Sequence, residues 1–377
     1  MNTPLVKTAR IILAGGGTGG HLYPAIAIAD RLSELLQDRA KVEIILVGTK
    51  RGLEYRIKDS LQYPLHLINV RGIARRLSLQ NLLVPFNIVG SLLKARALLK
   101  QFSPHLVIGT GGYVSWPVLR AASSRGIPTA LQEQNSFPGI TTRQLAPRAD
   151  RIYLGFGKAQ EYFKTSGKVL VTGNPVRPSI SGGNRLSALR EFQLDPNKKT
   201  ILVLGGSQGA HTINQAVLHG LQHGLLPEGC QLLWQTGKRD YTEVTAQAGE
   251  KASGHSLFPF ENRMELVYAA ADLAIARAGA ITLAELEACA VPALLVPYPF
   301  AAGDHQRKNA EESVRLGFAT MINESDSALP EILGAAASEI TSGTATQRRN
   351  TMLAATQKKR PAVDVIAEDL IELLNAA

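Results

Sequence analysis

The chain has 377 residues, 45% hydrophobic and 19% charged, which suits two globular domains with real cores and excludes a disordered or fibrous chain. Its two cysteines, Cys230 and Cys289, have no paired spacing, which argues against a disulfide framework or a cysteine metal site and fits a reducing cytosol. The +10 net charge is uneven: residues 1–172 carry 23 Lys+Arg against 9 Asp+Glu, or +14, and residues 173–377 carry 18 against 22, or −4. Such a basic half attracts nucleic acid, an anionic bilayer or a phosphorylated substrate, and charge by itself does not choose among them.

In chain order, Met1–Arg10 is short and polar and lacks the apolar core of a signal peptide. Strands are expected at Arg10–Ala14, Val42–Val47, Leu65–Val70, Leu106–Gly109, Pro128–Leu131 and Arg151–Leu154, with helical periodicity between several of them, notably Pro24–Leu36. Leu79–Leu99 is the nearest approach to a spanning helix, but Gln80, Asn81, Pro85, Asn87, Lys94 and Arg96 interrupt it. Gly173–Asn184, rich in Gly, Pro and Ser, reads as a linker. A second series of strands follows at Thr200–Leu204, Gln231–Thr236, Ser256–Phe258, Leu273–Ala276, Ala293–Val296 and Phe318–Ile322. Helices are expected at Arg348–Lys358 and Val363–Leu374, the last packing across the domain junction.

Both series open with strand, glycine turn and helix: Ile11–Gly17 and Ile201–Ser207, about 190 residues apart. The economical reading is α/β, two Rossmann-like domains with parallel sheets facing across a cleft, divided as 1–172, 173–347 and the terminal helices 348–377.

Gly15-x-Gly17-x-x-Gly20 satisfies the dinucleotide fingerprint, because glycines let the backbone approach a phosphate at a helix N-terminus. The second strand ends Val47-Gly48-Thr49-Lys50-Arg51, without the acid that would hold a nicotinamide ribose, though an NADP site tolerates those cations. Two more glycine turns, Gly109–Tyr113 and Gly205–Ala210, also follow strands and point to anionic groups received by both domains. Arg277–Glu285 opens a helix suited to a diphosphate, with Glu285 placed to accept from ribose hydroxyls. Asp304-His305-Gln306-x-x-Asn309 offers amides that could read sugar hydroxyls or cap a helix. No Asp-x-Asp occurs, so a metal-independent mechanism is expected, with dipoles and Arg177 neutralising the leaving diphosphate.

Together these segments resemble the MurG family of UDP-N-acetylglucosamine:lipid I N-acetylglucosaminyltransferases. The residues that carry the resemblance are Gly15–Pro24, Gly109–Pro117, Glu133–Gly139, Gly173–Arg177, Gly205–Ala210, Gly279–Glu285 and Asp304–Asn309, in the family's order over nearly the whole chain. The resemblance implies a GT-B fold, lipid I taken by the N-terminal domain and UDP-N-acetylglucosamine by the C-terminal one. Transfer would invert the anomeric centre and give a β-1,4 linkage in lipid II. Carried onto matching positions, Thr18, Gly19 and Gly20 would face the diphosphate and sugar, with Asn135 and Gln306 on the sugar. Arg177, Ser207 and Gln208 would lie near the phosphates, Phe260 and Glu261 at the uracil. Ala280, Ile281 and Thr282 would open the diphosphate helix and Glu285 would take the ribose. Gly16, Gly17, Gly111, Gly112 and Tyr113 would meet the acceptor. His21 is the best general-base candidate, since an imidazole can accept a proton from an attacking hydroxyl, and Glu133 is its rival or the partner that orients it. Gln132, Trp116 and Ala278 depart from the family's usual His, Gly and Ser. No metal or cofactor is implied.

Arg71–Leu77, followed by Leu79, Leu82, Leu83, Val84, Phe86 and Ile88, mixes cations with apolar side chains and would suit an anionic membrane surface. Peripheral attachment to the cytoplasmic side of the inner membrane is therefore expected. Alternatives are another GT-B enzyme or UDP-sugar epimerase, an NADP-dependent oxidoreductase, and a nucleic-acid binder; no aromatic-studded basic motif or zinc ligands support nucleic acid as a partner.

Overall fold

The computed structural model describes residues 7–70, 84–206 and 209–376, apart from the side chains of 84–86. The chain divides into two compact units, Met1–Arg177 with Pro361–Ala377, and Pro178–Arg360.

In unit 1 the order is β1 (Thr8–Gly15), α1 (Gly19–Leu36), β2 (Lys41–Gly48), α2 (Leu53–Arg56), β3 (Leu65–Leu67), α3 (Val84–Phe102), β4 (Leu106–Gly111), α4 (Ser115–Ser123), β5 (Thr129–Glu133), α5 (Ile140–Leu145), β6 (Arg151–Leu154) and β7 (Lys168–Val171). The strands form one parallel sheet in the order β3-β2-β1-β4-β5-β6-β7. β1 is a continuous apolar run because both its faces are covered. Ile11 and Leu13 point into a cluster with α1, while Ile12 and Ala14 point into the opposite cluster with α3 and α4.

Unit 2 repeats the plan with α6 (Arg185–Glu191), β8 (Lys199–Leu204), α7 (His211–Gln222), β9 (Cys230–Gln235), α8 (Tyr241–Ala248), β10 (Ser256–Phe258), α9 (Met264–Ala270), β11 (Leu273–Ala276), α10 (Ala280–Ala288), β12 (Ala293–Leu295), α11 (His305–Arg315), β13 (Ala319–Met321), α12 (Ile332–Thr341) and α13 (Thr344–Thr356). Its parallel sheet runs β10-β9-β8-β11-β12-β13. In each sheet the strand order reverses beside the first strand, between β1 and β4 and between β8 and β11. A ligand in an open parallel sheet binds outside the carboxyl ends of the strands at that point.

The final helix, α14 (Ala362–Asn375), belongs to unit 1. Its Ile366, Ala367, Leu370 and Leu374 join α1 over one face of the sheet, each large side chain worth about 1.5–3 kcal/mol of burial. Asp369, nearly buried on the same helix, accepts from Tyr153 Oη at 2.8 Å and Arg151 Nε at 2.9 Å and pairs with Lys168. Burial by itself would raise its carboxyl. The hydrogen bonds from Lys168 and Tyr153 and the Arg151 charge outweigh that and hold it below the ordinary carboxylate range.

Two elements escape the sequence pattern. β7 is a short, half-exposed edge strand without a continuous apolar run. α6 begins at the end of the segment read as linker, where Asn184 Oδ1 accepts from the Ser187 amide at 3.0 Å and caps the helix.

Candidate active site

The carboxyl ends of β1, β4 and β5, neighbours in the sheet, carry Gly15–Gly17, Thr110–Gly112 and Glu133–Asn135. The first two turns pack directly on one another. Gly111 and Gly112 both have positive φ, and a Cβ on Gly111 would overlap the His21 ring while one on Gly112 would overlap the Gly16 carbonyl. Ser115, fully buried at the start of α4, ties the two turns: its single hydroxyl proton is shared between the Ala14 carbonyl at 2.6 Å and the Gly111 carbonyl at 2.7 Å, and its Oγ accepts from the Gly111 amide at 3.1 Å. Gly111 and Gly112 are both expected at the acceptor; in the fold, Gly111 leaves the space in which His21 sits and Gly112 leaves room for the Gly16 carbonyl.

His21 lies in the first turn of α1, three residues after the N-cap Thr18. Its Nδ1 is 3.0 Å from the Thr110 carbonyl and 2.9 Å from Gln134 Oε1. The orientation of the Gln134 amide follows from its other end. Its Nε2 meets the Thr110 carbonyl at 2.7 Å, the Gln132 carbonyl at 3.1 Å and Gln132 Oε1, all acceptors. Nδ1 therefore faces two oxygens that only accept, so it carries the proton. In the neutral ring the basic lone pair then belongs to Nε2. Thr110 Oγ1 donates to the His21 carbonyl at 2.7 Å and fixes the backbone below the ring.

Gln134 was missed as a site residue because its neighbour Glu133 has the more conspicuous chemistry. Glu133 spends its carboxylate locally. Oε1 accepts from the Asn135 amide at 3.1 Å and Asn135 Nδ2 at 3.2 Å, and Oε2 accepts from the Gly139 amide at 3.1 Å. It thus shapes the loop that presents Asn135, and the groups on His21 Nδ1 are Thr110 and Gln134. Gln132, where the family usually has His, is buried and donates to Asn174 Oδ1 at 3.0 Å, while Asn174 donates to the Gln134 carbonyl at 2.9 Å. The departure fills a structural place in this amide network. Arg177 stacks over the Tyr23 ring of α1 at 5.8 Å, and Tyr113 is 56% exposed.

In unit 2, α10 follows the N-cap Gly279 and carries Ala280, Ile281 and Thr282 in its first turn. Glu285, one turn further, accepts from Tyr268 Oη at 2.8 Å, a partner the sequence reading did not name. Tyr268 is buried on α9, so it fixes one carboxylate oxygen of Glu285 from beneath. The loop before α9 carries Phe260 and Glu261. The Glu261 amide donates to Gln235 Oε1 at 3.0 Å, so that N–H is committed inside the protein. The Glu261 carboxylate turns back to Arg263 and the Asn262 and Arg263 amides, and the guanidinium hydrogen bond holds it below its ordinary value. Gln306, in the first turn of α11, accepts from the Tyr298 amide at 3.0 Å, which leaves its NH₂ as the donor for a ligand. Ser207 and Gln208 lie outside the described residues, as does the whole of the basic, apolar stretch from Arg71 to Leu83.

Comparison with known proteins adds the family. The glycosyltransferase family 28 N-terminal domain matches residues 11–154 and the C-terminal domain of the same family matches residues 200–366. The UDP-N-acetylglucosamine–N-acetylmuramyl-(pentapeptide) pyrophosphoryl-undecaprenol N-acetylglucosamine transferase of Chlorobaculum parvum is 43% identical over 321 residues, 84% of this chain and 86% of the relative. The crystal structure of Acinetobacter baumannii MurG superposes with a TM-score of 0.72 at 29% identity, over 97% of this chain and 99% of that one. A UDP-GlcNAc 2-epimerase from Neisseria meningitidis, 13% identical with a TM-score of 0.61 over 98% of this chain and 100% of that one, shares the fold alone. Matched in order by both domains and by relatives of one activity, the chain belongs to glycosyltransferase family 28, within the MurG family of N-acetylglucosamine transferases.

Proposed function

We propose that the protein transfers N-acetylglucosamine from UDP-N-acetylglucosamine to the 4-hydroxyl of the muramyl sugar of lipid I, releasing UDP and forming lipid II. The observation that carries the reading is His21, locked as the Nδ1–H tautomer at the switch point of a family 28 N-terminal domain. The acceptor hydroxyl attacks the anomeric carbon as Nε2 takes its proton, and the bond from that carbon to the diphosphate breaks. Attack opposite the leaving group inverts the centre and gives the β-1,4 linkage.

On the donor side, the first turn of α10 and Arg177 face the diphosphate charge, and electrostatic stabilisation of that kind is worth several kcal/mol at the transition state. Glu285, braced by Tyr268, takes the ribose hydroxyls. Phe260 with Glu261 borders the base, and Gln306 and Asn135 read the sugar. Thr18, Gly19 and Gly20 lie along the sugar and diphosphate, and Gly16, Gly17, Gly111, Gly112 and Tyr113 along the acceptor. No metal is needed in this scheme.

A lipid-linked acceptor brings the enzyme to a bilayer. Among the described residues no helix is long and apolar enough to cross a membrane. α3 exposes Ile88, Val89 and Leu93 beside the cations Lys94, Arg96 and Lys100. With the Arg71–Leu83 stretch before it, this supports peripheral docking on an anionic inner-membrane surface from the cytoplasmic side, each nearby cation adding about 1 kcal/mol. Co-sedimentation with vesicles that contain or lack anionic lipid tests it, and equal recovery from both would remove the electrostatic part.

The decisive assay supplies labelled UDP-N-acetylglucosamine and a lipid I analogue with and without EDTA. Transfer in both arms is expected. Failure to transfer to any muramyl acceptor would overturn the reading.

A further inference from the structure

Unit 1 holds a fully buried carboxylate that neither the motifs nor the mechanism uses. Glu54, on the short helix α2 after β2, is fully buried. Its Oε2 accepts from the Gly17 amide at 2.8 Å, and its Oε1 accepts from the Thr49 amide at 2.7 Å and Thr49 Oγ1 at 3.3 Å. Three glycines make room for it, since a Cβ on Gly16, Gly48 or Gly52 would overlap the Glu54 side chain. A buried carboxylate is costly unless its oxygens are satisfied, and here two backbone amides and a hydroxyl do so. The fold thus commits a charge and three side-chain-free positions to joining the β1–α1 turn to the β2–α2 turn.

Two consequences follow from this placement. In a dinucleotide fold the acid beyond the second strand faces outward and holds a ribose. Glu54 lies further along, on α2, and its carboxylate is spent on the glycine turn itself, so it does not serve as that acid. The second consequence concerns what the clamp holds. Gly17, at φ +93°, is the residue before the N-cap Thr18, and His21 follows in the first turn of α1. The carboxylate therefore fixes the residue from which the catalytic turn departs.

We propose that Glu54 is a positioning residue for the transfer reaction. It clamps the Gly17 amide so that the first turn of α1 presents His21 Nε2 and the neighbouring amides to the acceptor, without itself touching substrate. This rests on the transferase reading above, and the test separates the two.

Glu54→Gln keeps the shape but must turn an NH₂ group against one of the two amides. A misplacement of the reacting group by a fraction of an ångström to 1 Å costs up to about 100-fold, so a loss of roughly 30-fold in kcat/KM for the lipid I analogue is expected. UDP affinity, measured by calorimetry, should stay within about twofold, because Phe260, Glu261 and Glu285, which border the uracil and ribose, all lie in unit 2. Glu54→Asp retains the charge but cannot reach both amides, so an equal or greater loss distinguishes reach from charge. Gly52→Ala, which sets a methyl against the carboxylate from outside the acceptor positions, should reproduce the kinetic pattern and serves if the Glu54 variants do not fold. The Gly17 amide proton, shifted downfield by its charged acceptor, should move upfield in Glu54→Gln.

An unmoved Gly17 resonance overturns the proposal whatever the activity. So does wild-type kcat and acceptor KM in Glu54→Gln, or a fall in UDP affinity and thermal midpoint in step with kcat. A wild-type chain that transfers nothing, with the Gly17 shift intact, overturns the functional reading and leaves the clamp standing.

Discussion

The two units share one strand order yet treat the turn after their first strand differently. In unit 1 that turn is held from outside by Glu54, by the Gly111–Gly112 turn and by Ser115, so the imidazole of His21 is locked in one tautomer. In unit 2 the turn closes on itself: the Gly209 amide donates to the Gly206 carbonyl at 3.1 Å, and a Cβ on Gly205 would overlap the Ala210 amide. Beneath it Asp240 bonds Asn214 and His211, and Trp234 donates to Asn214, a network that braces the start of α7. The same fold thus holds a fixed imidazole beside the turn in one copy and a self-closed turn over a braced helix start in the other. Charge divides the same way, +14 against −4 by halves of the chain, so an anionic partner is drawn first to the half that carries unit 1.

The contrast can be broken by asking which kinetic constant each unit controls. The largest effect is expected for His21→Ala. Removing the general base should cut kcat by about 10³-fold, within the usual range of 10²–10⁴, with UDP-N-acetylglucosamine affinity unchanged by calorimetry. Retained turnover would remove His21 from the mechanism and the contrast with it.

Next is Asp369→Asn, which tests whether α14 stabilises unit 1 alone. Breaking a nearly buried charge cluster costs about 3 kcal/mol, and faster hydrogen exchange should appear in β6, β7 and α1 but not in β8 or β11. The sign with pH follows from its lowered carboxyl. The contribution is complete above the ordinary carboxylate range and is lost as pH falls through the folded value, so the acid-side stability slope should shrink in the variant.

Gln134→Glu should act more mildly and only on unit 1. A carboxylate on Nδ1 favours the imidazolium, which moves the acid limb of kcat/KM upward by about one pH unit and lowers activity at pH 7 up to about tenfold. An unshifted limb would separate His21 from Gln134. The smallest effect belongs to unit 2. Tyr268→Phe removes one hydrogen bond to Glu285, about 1 kcal/mol, and should raise the donor KM roughly fivefold with kcat held. A fall in kcat instead would mean that the two units are not divided as described.

The apolar strand runs made the two parallel sheets legible, because strands buried on both faces must be apolar throughout, as in Ile11–Ala14 and Ile201–Leu204. β7 was not legible for the same reason, being an edge strand with one face open. Within the site, glycine turns and His21 stood out because their chemistry is local to a few consecutive residues. The family resemblance rested on the same local motifs, and the matched domains bear it out.

What the sequence by itself determined, then, is the repeated α/β plan, the family, and the residues that stand in its glycine turns. The partners of those residues were decided by tertiary structure. Gln134 reaches His21 across 113 positions, Glu54 reaches Gly17 across 37, and Tyr268 reaches Glu285 from a different helix. The physical reason is that a parallel sheet gathers its strand ends from distant parts of the chain. Hydrogen bonds made there depend on which strands are neighbours, and spacing along the chain does not encode them.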